Sequence, residues 1–140
     1  MTKKAELNHP GEGAFGEFFG FKIETLEPGR AVYSLNVTPK LFNPVGVLHG
    51  GVISSLVDQS MGAALTTALP KDQICATIEI VIHYFEAVRD GSIRVETKVI
   101  RQGKRVAHIE SEVTHLPSGN TVATAMGSFC IFTAGVKKEQ

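Results

Sequence analysis

One stretch of the sequence concentrates the residue types that chemistry needs. It runs Asn43-Pro-Val-Gly-Val-Leu-His49-Gly50-Gly51 and continues Val-Ile-Ser54-Ser55-Leu-Val-Asp58-Gln-Ser-Met-Gly62. The first amides of a helix have no partner within it and carry partial positive charge. If a helix begins at the two glycines, no side chain shields those amides. A carbonyl or oxyanion can then approach them closely. None of the usual caps (Ser, Thr, Asp or Asn) stands immediately before the apolar run, so an uncapped start is expected. The plain alternative is a glycine turn in which His49 packs or caps.

Asp58 weighs against that alternative. It is the only formally charged residue between Leu41 and Leu69. A mid-helix aspartate in apolar surroundings has poor propensity and costs about 1–3 kcal/mol unless bonded or hydrated. Its helical neighbours are Ser54, Ser55 and Gly62, a small polar notch with room for water or substrate. A structural aspartate bonded to those serines is the competing reading. Gly50 and Asp58 lie eight residues apart. That is about 12 Å along a helix axis. Groups acting on one carbonyl need contacts near ~3 Å. Two antiparallel copies satisfy this where one helix does not, so a homodimer with shared sites is expected.

Other candidates are weaker. Glu79 sits among Ile78, Ile80 and Val81 and reads as a carboxylate with a structural partner. His83, His108 and His115 show no metal-ligand spacing. Cys75 and Cys130 show no zinc or CxxC pattern and read as free thiols. Arg89, Lys98, Arg101, Lys104 and Arg105 are candidates for a phosphate contact, but charged strand edges are mostly solvated.

The elements that position these residues follow from pattern. The chain has 140 residues, 43% hydrophobic and 20% charged, enough for one folded domain. Net charge is zero, which gives no field for nucleic acid or anionic lipid. The N-terminus lacks the apolar run of a signal peptide, and the apolar stretch at 41–69 is too interrupted to span a membrane. A cytoplasmic protein is expected. Val52–Leu69 reads as a helix stopped by Pro70. Phe21–Leu26, Arg30–Val37, Ile74–Glu86, Ser92–Arg101, Arg105–His115 and Thr121–Phe132 read as strands, the last three as successive hairpins. A curved antiparallel sheet of about six strands wrapping one central helix buries both, an α+β domain over residues 21–133. Residues 1–20 form an extension, with a short helix or turn near its three phenylalanines, and residues 134–140 a tail.

This pattern resembles the hotdog-fold acyl-CoA thioesterases. It is most similar to the PaaI-like branch of the 4-hydroxybenzoyl-CoA thioesterase superfamily, named after the phenylacetate pathway. The carrying residues are Asn43, His49-Gly50-Gly51, Asp58 and Gly62, then Thr77-Ile-Glu79-Ile-Val-Ile-His-Tyr84 and the later meander. The resemblance implies hydrolysis of an acyl-CoA by a homodimer, often a dimer of dimers, with no metal or redox cofactor. By the same resemblance the Gly50 amide polarises the thioester carbonyl, and Asn43 helps bind it. Asp58 of the facing subunit acts as base or nucleophile, and Thr77 orients water. His49, Gly51, Ser54 and Gly62 surround the substrate, with His49 shaping the turn. The rival readings are a hotdog hydratase or dehydratase using His49, and a non-catalytic acyl-CoA sensor.

Overall fold

The computed structural model describes residues 11–135. Its centre is helix α2 (Gly50–Thr66), preceded by the short helix α1 (Gly13–Phe19). Around α2 curves an antiparallel sheet of β1 (Lys22–Glu27), β2 (Arg30–Asn36), β3 (Gln73–Tyr84), β4 (Ser92–Gln102), β5 (Val106–His115) and β6 (Thr121–Thr133). Their order in space is β1-β2-β4-β5-β6-β3. The expected α+β architecture, a central helix wrapped by six strands, is therefore the one adopted. The last three strands pair in sequence, as their turns require, whereas β3 passes over them to pair with β6.

The wrapping has a simple cause. Val52, Ile53, Leu56, Val57, Met61 and Leu65 are all buried, and together they cover most of the circumference of α2. Each such side chain contributes roughly 1.5–3 kcal/mol when fully removed from water. Alternate strand residues such as Tyr33, Leu35, Ile93, Val95, Ile109 and Val113 meet them from the sheet. At Gly127 the approach is so close that a Cβ would fall 2.6 Å from Met61 Sδ. A chain of hydroxyls fixes the register of helix on sheet. Ser60 Oγ donates to Thr97 Oγ1 at 2.7 Å, and Thr97 Oγ1 meets Ser111 Oγ at 2.6 Å.

The helix ends sooner than expected, at Thr66 rather than Leu69. Thr67 turns its hydroxyl to the Glu27 and Ala64 carbonyls at 2.8 and 2.9 Å. The Ala68 and Leu69 amides then bond three residues back instead of four. The close follows from a threonine tied to β1, with Pro70 only confirming it.

Two features of the fold bear on function. The face of α2 left outside the core is a stripe of Gly51, Ser54, Ser55, Asp58, Gly62 and Thr66, all small except the aspartate. And β3 is an edge strand. It exposes Ile74, Ile78, Val81 and Tyr84 and carries none of the lysines or prolines that protect open edges. A bulge at Ile78 interrupts its pairing with β6, where Thr77 faces Phe129 and Glu79 faces Ser128. Because side chains alternate along a strand, one extra residue switches which parity points at the helix. Cys75 and Thr77 face α2 before the bulge, and Ile80, Ile82 and Tyr84 face it afterwards.

Candidate active site

The site begins where α2 begins. His49 is the N-cap in extended backbone, and its Nδ1 accepts from the Gly51 amide at 2.8 Å. The helix start is therefore capped, contrary to the expectation from residue types. Imidazole simply replaces the usual hydroxyl or carboxamide acceptor. In neutral His49 this bond assigns the ring proton to Nε2. The two glycines have different reasons to be glycine. A Cβ on Gly51 would lie 2.9 Å from His49 Nδ1 and displace the cap. A Cβ on Gly50 would meet only the Tyr84 ring at 3.6 Å, an ordinary contact. Among the described residues nothing forbids a Cβ at Gly50. Its N–H has no partner among the described residues.

Asp58 is exposed on the stripe described above. Its partner is not the adjacent serines. Ser54 and Ser55 donate back to the Gly51 carbonyl at 3.0 and 2.7 Å, so the reading of Asp58 as a serine-bonded structural residue does not hold. Instead the Thr77 hydroxyl donates to Asp58 Oδ1 at 2.7 Å. This leaves Oδ2 without a hydrogen bond among the described residues. Beside the pair opens a cleft of about 320 Å³ between α2 and β3, lined by Ser54, Asp58 and Thr77 and by Ile78, Ile80 and Ile82. It is polar along the helix and apolar along the strand. On the same helix stripe Gly62 leaves open space, since a Cβ there would come no closer than 4.0 Å to Phe129. Burial pushes the neighbouring Cys75 thiol up, while Thr66 bonds it at 3.6 Å.

Other candidates fall outside this group. Asn43 Oδ1 accepts from the Val45 and Val47 amides at 3.1 and 3.2 Å, so its bonds stay within its own loop. Glu79 is exposed on the cleft rim and forms no ion pair among the described residues, so it is not the paired structural carboxylate expected. Lys98 reaches across to Glu110 at 3.5 Å. Both line a larger hollow of about 480 Å³ on the sheet face away from α2. Cys75 and Cys130 are free. Among the described residues no three His, Cys, Asp or Glu side chains gather to hold a metal ion. Among the described residues no helix is long and apolar enough to cross a membrane.

One contact was not foreseen from the sequence. The Tyr84 hydroxyl donates to the Gly50 carbonyl oxygen at 2.9 Å. The bulge at Ile78 hides it, because simple alternation from Thr77 would turn Tyr84 away from the helix.

Comparison with known proteins gives one family. The model described as "Thioesterase superfamily" matches residues 45–121. An esterase-like protein of Saccharolobus solfataricus is 36% identical over 122 residues, spanning 86% of this chain and 85% of that one. The 1,4-dihydroxy-2-naphthoyl-CoA hydrolase of Listeria monocytogenes is 30% identical over 98 residues, 70% of this chain and 80% of that one. Among solved structures, a conserved protein of Pseudomonas aeruginosa superposes with a TM-score of 0.82 at 31% identity, covering 93% and 99% of the two chains.

Proposed function

The chain belongs to the thioesterase superfamily, and from that premise we propose that it hydrolyses acyl-CoA to the free acid and coenzyme A. One observation carries the reading. The same helix presents an unpartnered amide at Gly50 and a carboxylate at Asp58 whose Oδ1 is held by Thr77. A thioester needs little more than these two groups. The Gly50 N–H stabilises the charge that develops on the carbonyl oxygen. Asp58 either takes a proton from the attacking water or itself attacks the carbon, in which case water afterwards cleaves the mixed anhydride on Asp58 to free the acid and restore the carboxylate. The carbon–sulfur bond breaks, and the coenzyme A thiolate leaves and is protonated. That the Listeria relative is named for an acyl-CoA hydrolase supports coenzyme A as the thiol.

The two groups act on one carbonyl only if they come from different chains, being about 12 Å apart along α2. We therefore read the enzyme as a homodimer in which the open edges of β3 pair antiparallel. The helix start of one copy then faces Asp58 of the other. The exposed apolar residues of this edge, which carries no lysine or proline, support this. The His49-based reading is disfavoured because His49 Nδ1 is already engaged in capping α2.

The test is a panel of aromatic and aliphatic acyl-CoAs scored for thiol release with a chromogenic thiol reagent. Release from at least one member, lost in Asp58→Asn, is the expected result. Binding of acyl-CoA without release from any would make the protein a sensor instead.

A further inference from the structure

We propose that Tyr84 is a positioning residue for this reaction, clamping the Gly50–Gly51 peptide unit so that the Gly50 N–H, carried by the adjoining His49–Gly50 unit, is held in place. The proposal rests on the role of Gly50 given above. The peptide unit joining Gly50 to Gly51 is gripped at both ends. Its carbonyl accepts from Tyr84 Oη at 2.9 Å, and its N–H donates to His49 Nδ1 at 2.8 Å. The Tyr84 ring lies against Gly50 itself, 3.6 Å from where a Cβ would stand.

Such a clamp has a physical purpose here. Two consecutive glycines are the most freely moving backbone a chain can contain, and helix ends fray. An oxyanion donor acts only when fixed about 2.7–3.1 Å from the developing charge. A helix start of bare glycines supplies access but not rigidity. Tyr84 supplies the rigidity from outside the helix, anchored in a strand that pairs with β6 through Ala123. The same strand holds Asp58 through Thr77. β3 thus touches both working groups of α2, Asp58 through Thr77 and the helix start through Tyr84. Its bulge at Ile78 is what lets Thr77 and Tyr84 both reach the helix.

Tyr84→Phe tests this, since it removes the hydroxyl and keeps the ring. Three measurements belong together: steady-state kinetics on the best acyl-CoA of the panel, a thermal melt, and hydrogen exchange of the Gly51 amide by NMR. We expect kcat to fall about tenfold, the worth of one hydrogen bond, with KM within about twofold. The melting temperature should fall by no more than a few degrees, and the Gly51 amide should exchange faster than in the parent protein. Unchanged kcat, or a change confined to KM, overturns the proposal. So does unchanged amide exchange. If the parent protein releases no thiol from any acyl-CoA, the hydrolase reading fails, and with it the positioning role. The exchange measurement then still reports whether the clamp itself exists.

Discussion

The Thr77 hydroxyl donates to Asp58 Oδ1 at 2.7 Å, and this one bond ties an edge strand to the single carboxylate of the central helix. It fixes the rotamer of Asp58 while leaving its second oxygen facing the cleft. A carboxylate arranged in this way is oriented without being used up.

Asp58→Asn should therefore keep the fold and acyl-CoA binding but lose at least about a hundredfold in turnover. Thr77→Val should lose less, roughly tenfold, because Asp58 keeps its charge and loses only its orientation. Circular dichroism and kinetics on both variants check the order. Near-normal turnover in folded Asp58→Asn would remove Asp58 from the mechanism and bring forward Glu79, the other carboxylate on the cleft.

The two glycines at the start of α2 should separate chemistry from stability. Gly51→Ala puts a methyl against the capping imidazole, 2.9 Å from Nδ1. It should cost about 0.5–2 kcal/mol of stability, the usual worth of a lost cap. Gly50→Val puts its Cβ at an ordinary 3.6 Å from the Tyr84 ring and fills the space a thioester carbonyl needs. It should lower turnover by roughly two to three powers of ten. Thermal melts and kinetics side by side decide the matter, and equal effects of both changes on both readouts would contradict it.

Shared sites make a further outcome measurable. Asp58→Asn and Gly50→Val chains, each inactive alone, should regain activity when their subunits are exchanged. One of the two sites in a mixed dimer would then be intact. Mass spectrometry confirms the exchange. Confirmed mixing with no recovered turnover would place the whole site in one chain.

Stability should fall at high pH for a reason located in the core. The Tyr33 hydroxyl is fully buried and has no hydrogen-bond partner among the described residues. Burial pushes the phenol up to about 12 from its ordinary 10.0, and the nearby Gln59 side chain offsets only part of that. A raised acid is held neutral in the folded state. Its contribution is complete below pH ~10 and is lost as the pH climbs toward ~12. Denaturant melts across that range should show the loss, and Tyr33→Phe should flatten it. A Tyr33→Phe protein with the same alkaline decline would assign the decline elsewhere.

Some of this was readable in the sequence for reasons that can be named. Gln102-Gly103-Lys104 and Pro117-Ser118-Gly119-Asn120 break runs of alternating residues, so the β4–β5–β6 hairpins follow from local chemistry. Asp58 stood out because an apolar run makes any charge conspicuous. What depends on distant partners was hidden. The cap by His49 uses a side chain outside the common capping set. The early end of α2 depends on a threonine reaching the Glu27 carbonyl forty residues away. The Tyr84 contact needs a bulge whose existence is decided by the pairing of β3 with β6.

The order of strands also governs when the site comes into being. β3 is complete at Tyr84, yet its only strand partner among the described residues, β6, ends at Thr133. On the ribosome that interval lasts on the order of seconds. Throughout it a mostly apolar strand, with Glu79 its only carboxylate, waits unpaired, carrying Thr77 and Tyr84 with it. The helix start and Asp58 acquire their supports only when the last strand of the sheet arrives. Premature termination inside β6 would thus remove no residue of the cleft and still leave it unassembled, with the most adhesive strand of the molecule free to find a partner elsewhere.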